Sequence, residues 1–362
     1  MTVSLAMIVR NEEETLPRLL ASVEGAFDEV VIVDTGSTDG TRRIARRHAD
    51  RVDRIPWPEH FAQARQAAFD LATADWVCWL DADDVVTGAA AIRDLASTAA
   101  DDVGALYWPY VVGRDPAGRV TCEYWRERCV RNDGSYRWEG RIHEALCPTR
   151  PVRTQQTRAV VVEHHSPPGR AVAKSRRNLA LLERDLEEAG EHPSGRLLFY
   201  LGREYDSVGE PEKALAAFER CAGVSRWDEE RYMAQLHISG LHRRAGRSEE
   251  AIGADLRALA ICPHWPNAYF SLAETYYFLA DWHKVIHWVE VGKAMPEPDS
   301  LQIMDSATYR SRWVIHYTNA LYRVGEVREA REWTVRALRR DPDDEQHLAN
   351  LRFFTSLPGG VQ

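Results

Sequence analysis

The chain has 362 residues, 44% of them hydrophobic and 28% charged, an ordinary balance for a globular protein and enough length for two or three domains. A net charge of −9 argues against a general nucleic-acid binder, and no apolar run approaches the roughly 18 residues of a membrane span. The N-terminus carries Arg10 and a glutamate run where a secretion signal needs an apolar stretch, and the six cysteines (78, 122, 129, 147, 221 and 262) form no Cys-x-x-Cys pair; a cytoplasmic chain without a zinc ribbon or disulfide framework is expected.

In chain order, residues 4–9 read as a first strand, followed by a helical pattern through Leu16, Leu19, Leu20 and Val23. Residues 29–33 are a second strand, ending in Asp34-Thr35-Gly36-Ser37-Thr38-Asp39-Gly40, and Thr41–His48 is the helix that follows. A third strand at 52–55, a third helix at 61–72 and a fourth strand at 76–80 complete an open α/β sheet, in which ligands bind at the carboxyl ends of the strands. The fourth strand is apolar on both faces, as a buried strand must be, and delivers Asp81, Asp83 and Asp84. In extended backbone, residues two apart point the same way, so Asp81 and Asp83 are read as sharing a metal, or a metal and a ribose. Mg²⁺ is usually held by one or two carboxylates plus substrate phosphates, which makes this Asp-x-Asp a candidate site for a nucleoside diphosphate bound through a metal. The competing reading is a helix N-cap, because 88–100 is alanine-rich and helical in pattern.

Beyond Asp84 the texture changes. Residues 105–112 and 120–130 are long β-rich runs joined by a hairpin turn at 113–118, and 159–163 is a further strand ending in His164-His165-Ser166-Pro167-Pro168. Between them, residues 136–144 are dense in ionisable and aromatic groups. The segment 114–177 holds 14 Lys and Arg against 7 Asp and Glu, so an anionic ligand favours it. Its interleaved Trp125, Arg126, Arg128, Arg131, Arg137, Trp138 and Arg141 suit donor phosphates and an acceptor cleft, and equally suit cross-strand packing without a ligand.

The last half is helical and repetitive. Gly209-Glu-Pro-Glu-Lys-Ala214, Gly246-Arg-Ser-Glu-Glu-Ala251, Ala280-Asp-Trp-His-Lys-Val285 and Gly325-Glu-Val-Arg-Glu-Ala330 are one turn written four times, at offsets of 37, 34 and 45 residues. These bracket the period of about 34 residues of tetratricopeptide repeats. The expected layout is an α/β domain over 1–168, a connecting helix over 169–194 and tetratricopeptide-like repeats over 195–357, a superhelix whose groove suits a peptide. Of the aromatics at helical spacing, Tyr269, Phe270, Tyr276, Tyr277, Phe278 and Trp282, most are expected in the core.

Four motifs carry a resemblance over residues 1–180: Ser4-Leu-Ala-Met-Ile-Val-Arg-Asn-Glu12, Val31-Ile-Val-Asp-Thr-Gly-Ser-Thr-Asp-Gly40, 75–84 and Gly140-Arg-Ile-His-Glu144. In that order they resemble the inverting family 2 glycosyltransferases, which have a GT-A fold. With the repeats, the architecture resembles bacterial enzymes of that family that glycosylate peptides or proteins, bacteriocin peptides among them. The resemblance implies a nucleotide-sugar donor, with Asp34 on the base, Asp81 on the ribose and Asp83 on a divalent metal (Mn²⁺ or Mg²⁺) bridging the phosphates. Arg10 and Asn11 belong to the first donor motif, and Arg65 is a further candidate for the diphosphate. Thr35 stands where the family often has a second carboxylate, which leaves uridine against guanosine open. Glu144 occupies the place of the catalytic base, with His143 as the alternative base or a ligand, and His164, with His165 behind it, is the histidine that completes the metal shell. The expected partners are a nucleotide sugar, of uridine in the family's habit, and a peptide or protein acceptor. A modified DNA base, a saccharide or a small metabolite is the alternative acceptor, self-association through the repeats a further expectation, and a repeat scaffold with an inactive transferase domain the competing reading.

Overall fold

The computed structural model describes residues 1–115, 118–165, 171–296, 298, 300, 304–305 and 312–357. They form two compact units, Met1–Glu188 in one and, in the other, Ala189–Ser300 with the stretch from Asp305 onward. The expected boundary at Pro167 and Pro168 lies outside the described residues.

The first unit opens with the three expected β-α units: β1 (Val3–Val9), α1 (Leu16–Ser22), β2 (Glu29–Asp34), α2 (Thr41–His48), β3 (Arg51–Arg54), α3 (Phe61–Phe69) and then β4 (Trp76–Trp79). β1 lies between β2 and β4, parallel to both, and β3 continues the parallel sheet beyond β2. The chain then forms β5 (Asp84–Thr87), a 3₁₀ turn, α4 (Ile92–Thr98), and the long pair β6 (Val103–Arg114) and β7 (Val120–Arg131). β8 (Tyr136–Glu139), β9 (Ala145–Pro148), β10 (Arg153–Gln156), β11 (Val161–His164) and α5 (Ala171–Ala189) complete the unit. The main sheet runs β3-β2-β1-β4-β7-β6-β11-β5, with β10 beside β6, while β8 and β9 form a separate hairpin. Alternation along β4 sends Trp76, Cys78 and Leu80 into one core and Val77 and Trp79 into the other, where α3 and the β8-β9 hairpin supply Ala62, Phe69, Trp138 and Leu146.

Two features depart from the sequence reading. Asp84 N donates to Asp81 O at 2.9 Å, closing a turn over 81–84, so Asp81 and Asp83 do not share one face of an extended strand. The helix-cap reading also fails. Asp84 begins β5, and the helical segments that follow have Gly88 and Ala91 at their N-cap positions, with no side-chain cap. Gly88 turns the chain at φ +78°, and a Cβ there would stand 2.0 Å from the carbonyl oxygen of Ala159.

The second unit is a stack of helical hairpins: α6 (Gly195–Ser207) with α7 (Pro211–Val224), α8 (Asp228–Arg244) with α9 (Ser248–Ile261), α10 (Asn267–Phe278) with α11 (Trp282–Lys293), and α12 (Arg312–Arg323) with α13 (Val327–Arg340). α14 (Glu345–Ser356) follows and buries Phe354. The repeated turn has a backbone cause: Gly209, Gly246 and Gly325 take φ +83°, +74° and +94° where each hairpin folds back, and Ala280 takes the same left-handed position at +57°. Phe270 is buried and stacked 5.6 Å from Trp313, while Phe278 is 65% exposed. All six cysteines are free thiols, and no helix among the described residues is long and apolar enough to cross a membrane.

Candidate active site

Carboxylates gather where the carboxyl ends of β1, β2 and β4 meet the later strands. Antiparallel pairing of β5 with β11 sets His164 opposite Asp84, and the turn at 81–84 brings Asp83 beside them. His164 Nδ1 stands 3.4 Å from Asp83 Oδ1 and 3.5 Å from Asp84 Oδ1, and one donor atom from each of the three residues fits within a 4.8 Å cluster. Burial works against a charge on the imidazole, but the two carboxylates outweigh it and push His164 up to about 9. A proton on that ring is the counter-charge of two acids, in the place a cation would take. Two hard carboxylates with one imidazole fit Mn²⁺ or Mg²⁺ by donor chemistry.

Asp84 is fully buried, accepting from Tyr110 Oη at 3.1 Å and from the Asp81 amide at 2.9 Å. Arg128 Nη1 lies 3.3 Å from it; that guanidinium is also fully buried, 4.1 Å from the ring centres of both Trp79 and Tyr110. None of the Arg128 nitrogens has a hydrogen-bond partner among the described residues, so its charge is balanced through Asp84 and the ring faces.

The second cluster is built by α3 and the loop between β8 and β9. The first amides of a helix have no partner within the helix, and those of Phe61 and Ala62 donate to the carbonyls of Arg141 (2.8 Å) and Gly140 (3.4 Å). This docks the loop on the helix and brings Glu144 to Arg65. Arg65 Nε donates to Glu144 Oε1 and its Nη2 to Asp81 Oδ1, both at 2.6 Å. Burial raises both acids, and the Arg65 charge and hydrogen bonds more than reverse this, holding Glu144 below its ordinary value and Asp81 well below it. His143, next to Glu144, takes φ +50°, a left-handed conformation that a non-glycine residue adopts only where its surroundings fix it.

The remaining expected residues are distributed as follows. Asp34 is buried, and its carboxylate accepts from the amides of Gly36 (3.3 Å) and Ser37 (3.0 Å), shaping the loop after β2. Asn11 ties that loop to the end of β1: its amide donates to Ser37 Oγ at 3.0 Å and its Oδ1 accepts from the Thr38 amide at 2.8 Å. Arg10 is exposed beside it. The His165 imidazole lies 3.3 Å from Glu163, and only its backbone amide reaches toward the cluster, donating to Asp83 O at 2.9 Å.

Residues 4–159 match the family model described as Glycosyl transferase family 2. They form a family 2 glycosyltransferase domain. The chain is 32% identical over 265 residues to a TPR repeat-containing protein of Synechococcus elongatus, covering 69% of this chain and 64% of that protein. It is 26% identical over 228 residues to the SPbeta prophage-derived glycosyltransferase SunS of Bacillus subtilis, covering 59% of this chain and 51% of that one. Among solved structures it is similar to S. aureus TarS, at 15% identity and a TM-score of 0.37 over 72% of this chain and 91% of that one. The chain thus spans between about half and two thirds of the length of these two curated relatives.

Sequence reasoning passed over two residues of the glycosyltransferase domain's acidic cluster. In the sequence Asp84 stands out only as a third carboxylate, and Arg128 only as one of several basic residues. The signal for Asp84 was present in Val85-Val86-Thr87, a β-branched run that makes a short strand of the segment and aligns it against β11.

Proposed function

We propose that the glycosyltransferase domain moves a sugar, with inversion, from a nucleoside-diphosphate sugar, with uridine as the nucleoside, to a peptide or protein held partly by the repeats. The observation that carries this reading is the pairing of two acid clusters at one sheet edge: Asp83, Asp84 and His164 with donor atoms within 4.8 Å, and Asp81 beside Glu144 on the Arg65 fork. In this reading Asp83, with Asp84 and His164, holds a divalent cation, and His165 stands outside the set because its ring is turned to Glu163. When bound, the cation neutralises charge growing on the departing diphosphate. Glu144, kept ionised by Arg65, takes the proton of the attacking acceptor group. Asp81 accepts from the ribose, and Arg10, Asn11 and Asp34 frame the base and the donor entrance. His143, in its left-handed conformation, fixes where the Glu144 carboxylate begins.

The test is calorimetric titration of UDP with Mn²⁺ and with EDTA, on the wild type and on Asp83→Ala, alongside a thermal-shift panel of UDP, GDP and TDP sugars. A ligand that binds the native state raises its melting temperature, so the preferred donor is the one that raises it most. The expected result is UDP binding that EDTA weakens in the wild type and leaves unaltered in the variant. Equal UDP affinity with and without metal refutes the cation, and no response to any nucleotide sugar refutes the donor class.

A further inference from the structure

Arg65 is 7% exposed and sits 4.7 Å from the ring centre of Trp79 and 5.1 Å from that of Trp138. Its Nε and one terminal nitrogen are each committed to a carboxylate at 2.6 Å. A guanidinium is planar and rigid, so two acids bonded to two of its nitrogens, with the plane held by aromatic rings, have a fixed separation and orientation. Trp79 in turn is fixed, its indole N–H donating to Glu127 O at 2.6 Å, and it also carries Arg128, the cation paired with Asp84. A group so enclosed and doubly engaged is poorly placed to bind phosphates in solvent.

We propose that Arg65 is a positioning residue for the transfer reaction: its fork holds Glu144 and Asp81 in one geometry, and it is not a ligand of the donor diphosphate. The proposal rests on the transferase reading above. Among the described residues, the charged or titratable groups that face Glu144 are Arg65 from α3, Asp81 from the end of β4, His60 from the residue before α3, and Arg126 from β7, whose Nη2 donates to the Glu144 carbonyl at 3.1 Å. Of these, only Arg65 both touches the carboxylate and carries the opposing charge. Without it, Glu144 is a buried acid next to another acid and binds its proton more tightly.

The experiment compares the wild type with Arg65→Gln, Arg65→Lys, Glu144→Gln and the double variant Arg65→Gln/Glu144→Gln, each checked for fold by circular dichroism. Donor turnover is followed against pH, and the affinities of UDP and of uridine are measured. Arg65→Gln is expected to lower kcat by about 10²-fold and to move the acid limb of the kcat profile upward by about one pH unit or more. Arg65→Lys, which keeps the charge and loses the fork, is expected to leave the acid limb near that of the wild type while kcat stays about tenfold down. With Glu144 already replaced, Arg65→Gln should cost less than about threefold further, because the two residues act as one unit. Loss of Asp81 positioning weakens UDP and uridine alike, so their affinity ratio should hold. Three results overturn the proposal: a selective loss of UDP over uridine, an unmoved acid limb in Arg65→Gln, or a full loss added on top of Glu144→Gln. Should Arg65→Gln not fold, Arg65→Lys decides alone: a kcat about tenfold down with an unaltered ratio of UDP to uridine affinity upholds the proposal, and a wild-type kcat or a selective loss of UDP over uridine overturns it. A wild type that turns over no nucleotide sugar refutes the transferase reading itself, and the positioning role with it. A wild type that turns over while the Arg65 variants match it refutes the positioning role alone.

Discussion

Asp255 on α9 is fully buried, and neither carboxylate oxygen has a hydrogen-bond partner among the described residues. The cation that acts on it is already engaged: Arg243 pairs with Glu274 at 2.8 Å and donates to Ser271 Oγ at 3.0 Å. Burial therefore pushes Asp255 up from an ordinary 3.8 to about 7, with Ser239, Ser271 and Arg243 close enough to soften the cost but none closing a hydrogen bond onto it. Between those two values the folded repeats hold a proton that the unfolded chain has released. The unfolded state binds fewer protons there, so stability falls as pH rises from about 4 to about 7. A shift of about three pH units corresponds to ~4 kcal/mol, an upper figure that local relaxation and water entry reduce to ~2 kcal/mol.

Asp255→Asn keeps the shape and removes the ionisation. At pH 3, where this position is neutral in the folded and the unfolded chain alike, the variant and the wild type should melt within about one degree of each other, and part of the difference should already be present at pH 5, where the unfolded wild type has released its proton. At pH 8 the variant should be more stable by ~2 kcal/mol, which for a unit of this size is roughly 4–8 °C. Scanning calorimetry of the full chain at pH 3, 5, 7 and 8 reads the difference directly, and subtracting wild type from variant cancels the other titrating groups. A difference that does not depend on pH, or a variant that is less stable at pH 8, refutes the account of Asp255 as a strained buried acid.

Three further outcomes are expected. Glu144→Gln should slow transfer by about 10²-fold or more with UDP affinity near that of the wild type, measured by single-turnover kinetics and calorimetry; normal turnover, with His143→Ala inactive, would reverse the two roles. Ala280→Gly should stabilise the repeats by roughly 0.5–1 kcal/mol in urea unfolding, since a left-handed alanine costs about 1–2 kcal/mol and glycine returns part of that gain as unfolded-state entropy. Gly88→Ala should destabilise the glycosyltransferase domain by about 3 kcal/mol or more, because φ is +78° and the new methyl would meet the Ala159 carbonyl at 2.0 Å; a midpoint within error of the wild type would show that β5 and β11 can separate there at no cost.

What was legible in the sequence follows from how local each signal is. The sequence pattern marks α2 to the residue, and the early strands to within one or two, because each carries its own hydrophobic period and its own terminating loop. The repeats were legible for a similar reason: all four of their turns need a left-handed residue, glycine supplies it cheaply in three of them, and the same short phrase recurs at each hairpin. Ala280 shows the limit of that rule, since the surrounding Asp281 cap and helix contacts carry the conformation without glycine.

The acid clusters were legible as residues but not as pairs. Asp81, Asp83, Glu144 and His164 are separated by up to 83 positions, and what joins them is strand register and helix docking rather than spacing. Reading 76–84 as one extended strand put Asp83 with Asp81; the turn at 81–84 instead puts Asp83 with Asp84 and His164, and gives Asp81 to Arg65. The difference has a chemical consequence. With both carboxylates on a single cation, Asp81 and Asp83 would compete for the same charge, and Glu144 would be left to find its own partner. As the chain folds, each acid has an assigned counter-charge: Arg65 serves Asp81 and Glu144, Arg128 serves Asp84, and His164 serves Asp83 and Asp84. Removing Asp83 should therefore leave Glu144 ionised and Arg65 in place. On that basis Asp83→Ala is expected to lose metal-dependent UDP binding without unfolding the domain, whereas loss of Arg65 strikes both acids at once.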